Sequence, residues 1–172
     1  MGLLVLRSAD HRRVPWKNGL GVTYEVAQSE GVWRLSFAEV DRPGPFSTFP
    51  GVDRIITLAV GAQLALTVDG VVQVLRPFEP FAFAGEAEVA ADPSAATVNF
   101  NVMTQRGRAA AEVICLQITG VAGVRDADFL AVLAGAVEVD GVELGRLDVV
   151  QGWSGVARLT GDAVVAVVRI TE

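Results

Sequence analysis

The chain of 172 residues is short of the side chains on which much enzyme chemistry depends. It contains one His (His11), one Cys (Cys115) and one Tyr (Tyr24). A zinc site built only from His and Cys therefore cannot form within a single chain. The three-His-plus-carboxylate iron or manganese site of many barrel enzymes is excluded by the same count. Disulfide frameworks and CxxC redox pairs are excluded as well. Acid–base chemistry that needs two imidazoles has no second imidazole. No GxSxG, Walker A, GxGxxG or HExxH motif occurs. Ser36, Ser47 and Ser154 have only His11 as a base, so no nucleophilic triad is expected. Cationic charge is also scarce: 14 Lys and Arg face 20 Asp and Glu, a net charge of −6. With a pI near 4.8 and Arg12-Arg13 as the only adjacent basic pair, nucleic acid is not an expected partner. The most apolar stretch, residues 55–68, is broken by Thr57, Gly61, Gln63 and Thr67. It falls short of the roughly 18 uninterrupted apolar residues of a membrane helix, so no membrane partner is expected. The N-terminal apolar run is too short for a signal peptide, and Leu6 stands where a myristoylation signal needs Ser or Thr. With a lone Cys, the expected location is cytoplasmic.

Hydrophobic residues make up 51% of the chain and charged residues 20%, the composition of a globular protein. The length suits one ordinary domain or two small fused ones. A mean hydropathy of +0.42 without long apolar runs implies strands buried on both faces or a sizeable subunit interface. All seven Pro lie at or before Pro93, so the N-terminal part reads as loop-rich and the remainder as strand and turn. Residues 55–85 and 129–155 share an order of features. An apolar strand leads to Val-Asp-Gly, then come a second strand, an aromatic segment, a Gly and a further strand. The Asp-Gly pairs, Asp69-Gly70 and Asp140-Gly141, repeat after 71 positions. Asp-Gly between apolar runs signals a hairpin, since both residues accept positive φ. The repetition predicts a duplicated β unit. Helix signals are few: residues 109–112 could start one, and residues 126–133 suit either a short helix or a strand. The expected class is all-β, with two small jelly-roll-like barrels in one chain.

The rare residues cluster. Residues 14–25, VPWKNGLGVTYE, hold the only Lys, Lys17, together with Asn18 and Tyr24, with Trp16 alongside. A shaped loop with a cation, an amide and an aromatic suits an anionic or amide-bearing small molecule. A structural turn with Trp16 as a core plug is the plainer alternative. In a chain with thirteen Arg, a compact, titratable ammonium at this one place favours a ligand role. Trp33, Leu35 and Phe37 share one face of a strand, and Arg34 and Ser36 share the other. Arg34 is either solvated or a carboxylate anchor. Glu39 has the parity opposite to Arg34 unless a bulge reorients it. The loop from Asp41 to Arg54 is stiffened by three Pro and two Gly, with Phe46 and Phe49 as anchors. Asp53 and Arg54 are expected to pair with each other or with Arg34 and Glu39, as readily as to meet a ligand. Asn99 and Asn101 share a strand face, where unpartnered amides would be costly.

Four motifs, PWKNGxGxT–E (residues 15–25), WRLSxAEV (33–40), GPFSxFPGxDR (44–54) and FNVM (100–103), resemble the HutD/Ves family in order and spacing. The resemblance is strong over residues 12–108. It implies a bicupin fold, often dimeric, in a bacterial protein linked to histidine utilisation. There the expected role is that of a modulator binding a pathway intermediate such as urocanate or formylglutamate, rather than that of an enzyme. It implies no metal-binding His set, in agreement with the count above. The chain departs from the family pattern at Leu20, where Gly is usual, and at Tyr24, where Arg is common.

The expectation is thus an N-terminal barrel over residues 1–108 bearing the site and a C-terminal barrel over 109–172, with strands exchangeable between them. The candidate ligand-binding residues are Trp16, Lys17, Asn18, Thr23, Arg34, Ser36, Glu39, Arg54 and Asn101. Lys17 and Arg34 are expected to offset an anionic group. Glu39 and Arg54 are expected to line the pocket or support it. The partner is a small anionic metabolite, no cofactor is expected, and a homodimer is left open. The alternatives are a metal-free, isomerase-like cupin enzyme with Lys17 or a carboxylate as base, and an interaction module with an apolar face.

Overall fold

The computed structural model describes residues 2–172. β1 (Val5–Leu6) is followed by a single 3-10 turn (Ser8–Asp10). Then come β2 (Arg12–Pro15), β3 (Gly21–Ser29), β4 (Trp33–Val40), β5 (Gly44–Pro45), β6 (Val52–Val60), β7 (Leu64–Val68) and β8 (Val71–Leu75). β9 (Phe81–Ala84), β10 (Val89–Asp92), β11 (Thr97–Gln105), β12 (Ala110–Val139), β13 (Val142–Leu144) and β14 (Val149–Thr171) complete the chain. Both segments with ambiguous helix signals are extended, within or next to β12. No helix is long and apolar enough to cross a membrane among the described residues.

The strands form two compact units. One spans Arg12–Ala110, with Glu172, and is called here the cavity unit; the other joins the segment up to His11 to Ala111–Thr171. The N-terminal segment thus belongs with the C-terminal strands rather than with residues 12–108, and β1 pairs antiparallel with β14. The cavity unit has a six-stranded sheet in the order β2-β3-β4-β11-β6-β9 and a four-stranded sheet in the order β5-β10-β7-β8. The other unit is a single sheet, β1-β14-β12-β13.

β4 and β11 are buried on both faces, which accounts for part of the high hydropathy. On one face Phe37 packs against Phe100, with ring centroids 5.1 Å apart. Burying such a ring stabilises the sheet by about 2 kcal/mol. The two Asp-Gly turns are built alike. Asp69 and Gly70 have φ of 47° and 81°, and Asp140 and Gly141 have 46° and 87°, the left-handed pair that a two-residue hairpin needs. The Asp69 N–H donates to the Glu88 carbonyl at 2.9 Å, and its carboxylate accepts from the Glu88 N–H at 2.8 Å. Asp140 makes the same two bonds with Arg158, at 2.9 and 2.8 Å. A shared hairpin with shared return bonds supports the duplication.

In the second unit Asp148 ties down the N-terminal segment. Its carboxylate accepts from the Ser8 N–H (2.8 Å), the Gly145 N–H (3.0 Å) and the Arg7 guanidinium (2.8 Å). Burial alone would raise its pKa; the two N–H bonds and Arg7 outweigh this and hold it below the usual carboxylate range. This stabilisation is complete above the ordinary carboxylate value and is lost as pH falls through the lower folded value. Asp148→Asn is therefore expected to cost about 1–3 kcal/mol at pH 7. In urea melts the gap to the wild type should narrow as pH drops below about 4. A gap that stays constant to pH 2 would contradict this account.

Candidate functional site

The inward face of the six-stranded sheet follows from strand parity and register. On β4 it carries Arg34, Ser36 and Ala38; on β11, Met103, Asn101 and Asn99; on β6, Arg54 and Ile56. Cross-strand pairing aligns Arg34, Met103 and Arg54 in one row and Ser36, Asn101 and Ile56 in the next. These residues line a cavity of about 530 Å³, entirely within the cavity unit. The segment after β2 closes one side through Trp16, Lys17 and Asn18, and the proline-rich loop closes another through Phe46, Ser47 and Phe49.

The Trp16 wall is fixed by three contacts. Its indole N–H donates to the Thr23 hydroxyl at 2.9 Å, and its ring meets Phe46 edge-on, centroids 5.7 Å apart. It also lies so close to Gly21 that a Cβ there would sit 3.0 Å from the indole and 2.7 Å from the Glu39 carbonyl. Asn18 shapes the loop: its Oδ1 accepts from the Leu20 N–H at 3.0 Å. The Leu20 side chain packs against Gly44. Lys17 and Asn18 are exposed at the cavity margin.

Arg54 dominates the electrostatics. It is only 6% exposed. Its Cζ lies 4.9 Å from the Phe83 ring centroid, 5.3 Å from Phe49 and 5.6 Å from Phe46. Among the described residues its only hydrogen bonds, to the Ser47 carbonyl and Asn101 Oδ1, are both 3.5 Å long, at the weak limit of the interaction. Arg34 also approaches Phe49, with its Cζ 5.9 Å from that centroid. The Nε atoms of both arginines are buried without a partner. Neither they nor Lys17 forms an ion pair among the described residues, and no Asp or Glu is among the residues that line the cavity. Burial first, and the Arg34 charge second, lower the Arg54 pKa to about 10. It still carries its charge at neutral pH. Two cations lining one cavity without an anion suit a carboxylate or similar group.

Of the residues expected from the sequence, the cavity brings together Trp16, Lys17, Asn18, Thr23, Arg34, Ser36, Arg54 and Asn101. Glu39 does not line it. No bulge reorients Glu39, which keeps the parity of Phe37 and accepts from the Tyr24 hydroxyl at 3.4 Å. Tyr24 is opposite Phe37 and does not line the cavity either. The expected pairing of Asp53 with Arg54, Arg34 or Glu39 is corrected: Asp53 points outward and pairs with Arg106 at 2.7 Å, which also holds Glu86 at 2.8 Å. His11, at the end of the other unit's N-terminal segment, meets the Leu6 carbonyl at 3.3 Å and does not line the cavity. Asn99, Ile56 and Met103 also line the cavity, in keeping with the parity they share with Asn101 and Arg54. Among the described residues no three His, Cys, Asp or Glu side chains gather in a metal-binding group.

Known proteins resemble this chain at several levels. An uncharacterised 21.2 kDa protein in the hutC 3′ region of Pseudomonas putida is 46% identical over 94 residues, 51% of this chain and 50% of that protein. Protein Ves of Citrobacter koseri is 38% identical over 115 residues, 60% of each chain. The match thus spans half to three fifths of the length of these two relatives. The structure of HutD from Pseudomonas fluorescens SBW25 superposes with a TM-score of 0.84 at 32% identity, covering 99% of this chain and 100% of that one. The pirin YhhW of Escherichia coli, at 6–7% identity and a TM-score of 0.72, shares the fold alone, and that fold is of the cupin type. The HutD family model matches residues 8–164, and the chain belongs to the HutD family.

Proposed function

We propose that the chain is a metal-independent, small-molecule-binding bicupin that modulates histidine utilisation by taking up a small anionic intermediate, such as urocanate or formylglutamate. The observation that carries this reading is Arg54, a buried guanidinium with no carboxylate partner among the described residues, near a second one, Arg34, in the lining of one cavity. A folded protein that leaves a charge in that state gains when an anion enters. The aromatic wall of Trp16, Phe46 and Phe49 suits the flat or apolar part of such a molecule. The hutC-region name of the Pseudomonas putida relative supports the link to histidine utilisation. A binding role is favoured over catalysis because the lining holds no carboxylate or imidazole to move a proton, and its one amine, Lys17, is exposed at the margin.

Thermal-shift and calorimetric titration with urocanate and formylglutamate test this. At 100 times its Kd a ligand adds about 2.7 kcal/mol, a rise in Tm of roughly 5–10 °C for a chain of this size. Arg54→Met is expected to abolish that rise. The same variant should be more stable than wild type without ligand, by about 1 kcal/mol or more, because burial of the charge costs more than the three ring contacts return. If no histidine-pathway carboxylate shifts Tm at millimolar concentration, the binding reading fails. Steady turnover of either compound would replace it with the enzyme reading.

Gly21→Ala tests the Trp16 wall. The new Cβ would sit 2.7 Å from the Glu39 carbonyl and 3.0 Å from the indole, so the strand and the Trp16 ring must both shift, which strains the bond to Thr23. Expected are a red-shifted tryptophan emission and a loss of about tenfold or more in affinity for the active carboxylate. Unchanged emission and affinity would show that the wall can relax around the methyl group.

A further inference from the structure

The polar side chains of β11 form a ladder whose direction can be worked out atom by atom. The Val40 carbonyl can only accept, so the Thr97 hydroxyl, 3.2 Å away, donates its proton there. Thr97 Oγ1 then has only acceptor capacity left for Asn99, 3.2 Å away, so the Asn99 atom facing it is the Nδ2 amide nitrogen. The Asn99 backbone carbonyl, again an acceptor only, receives the Asn101 Nδ2 at 3.3 Å. Asn101 Oδ1 accordingly turns towards Arg54, whose Nη2 is 3.5 Å away. No amide in this chain can be flipped without setting two acceptors or two donors against each other.

One atom is left over. Asn99 is fully buried and lines the cavity, and its Oδ1 has no partner. An amide oxygen in that position requires a donor that the protein does not supply. The unsatisfied donors, the Nε atoms of Arg34 and Arg54, are on residues aligned with Met103, four residues along β11. Arg54 reaches back as far as Asn101, two residues from Asn99 and so about 7 Å along the strand. The lining of the cavity is therefore polar in a directed sense: two guanidinium groups without an anion belong to one end, and an amide whose oxygen lacks a donor belongs to the other.

We infer that the ligand is a carboxylate that also carries a hydrogen-bond donor, an N–H or O–H, about 7 Å from the carboxylate, and that Asn99 Oδ1 selects for that donor. This rests on the reading of the cavity as an anion receptor and adds the chemistry of the ligand's other end. A plain aliphatic or aromatic acid would satisfy the arginines but leave Asn99 Oδ1 facing carbon.

The test uses two probes of one shape, 3-(pyrrol-3-yl)propionate and 3-(furan-3-yl)propionate. They differ in a ring N–H against a ring oxygen. Calorimetric titration of wild type is expected to show the pyrrole acid binding about 10- to 100-fold tighter. In Asn99→Leu the preference should vanish or reverse, while the furan acid keeps its affinity within a few-fold. That retained binding reports an intact fold and an intact arginine end. Equal affinity of wild type for both probes overturns this inference alone and leaves the anion-receptor reading standing. A preference that survives in Asn99→Leu also overturns it, because the donor is then read elsewhere. Failure of wild type to bind either acid counts against both. The wild-type comparison is decisive even if the variant does not fold.

Discussion

A guanidinium taken out of water must be compensated, and the way Arg54 is compensated governs the arrangement around it. Three phenyl rings, Phe46, Phe49 and Phe83, stand within 5.6 Å of its Cζ. Their π faces return part of the lost hydration energy. A carboxylate would return more, but it would also neutralise the charge and occupy the edge of the guanidinium. Ring contacts leave the N–H vectors open. The two hydrogen bonds that do form are at their outer limit, so the group is held in place without being saturated. Arg34, sharing Phe49 with it, adds repulsion that nothing among the described residues cancels. Such an arrangement raises the free energy of the empty state and lowers that of a state with an anion present.

The scaffold supplies this geometry through strand parity. β11 runs between β4 and β6, and all three present alternate residues to the cavity. The opposite face of β4 and β11 is filled by Leu35, Phe37, Phe100 and Val102, all at most 1% exposed. Because both faces are buried, a slip of one residue in β4 would put Arg34 into the apolar layer and Phe37 into the cavity. Register is therefore specified from both sides. The proline-rich loop contributes the rings in a similarly determined way. The Phe46 N–H bonds to the Val89 carbonyl at 2.8 Å, and the Phe49 N–H to the Gly85 carbonyl at 2.7 Å.

Much of this was legible in residue order. Alternation separated Arg34 and Ser36 from Trp33, Leu35 and Phe37, and placed Asn99 with Asn101. Asp-Gly pairs located both hairpins and exposed the duplication. What alternation cannot report is which cations end up without partners. Asp53 is adjacent to Arg54, yet alternation in β6 sends the two to opposite faces, and Asp53 finds Arg106 far along the chain. Rarity drew attention to Lys17, but usage is blind to burial: Lys17 is exposed, and the deeply buried cation is one of thirteen arginines. Asn99 and Asn101 look equivalent in sequence. Their difference arises from Thr97, which uses its proton on Val40 and thereby fixes the orientation of the first amide.

The duplication also shows where the chemistry could accumulate. Both units carry the same Asp-Gly hairpin with the same return bonds, yet their interiors have diverged. Among the described residues, every buried polar or charged side chain except Asp148 lies in the cavity unit, from Ser36 to Thr104. Asp148 is fully served by its own unit through Ser8, Gly145 and Arg7. The core of that unit is Val, Leu, Ala and Ile, closed around itself. A polar interior destabilises a fold unless its groups are paired, so a chain gains nothing from keeping one in both copies. One copy has been filled and satisfied internally. The other retains two arginines and an amide oxygen whose missing partners are complementary in kind: an acceptor for the first and a donor for the second. A random failure of packing would leave orphaned groups scattered through the core. Among the described residues four buried side-chain atoms lack a partner: three belong to Arg34, Arg54 and Asn99, which line one cavity, and the fourth is Thr57 Oγ1 on the other face of β6. Three such groups around one cavity is the arrangement expected when their missing partner is a single molecule.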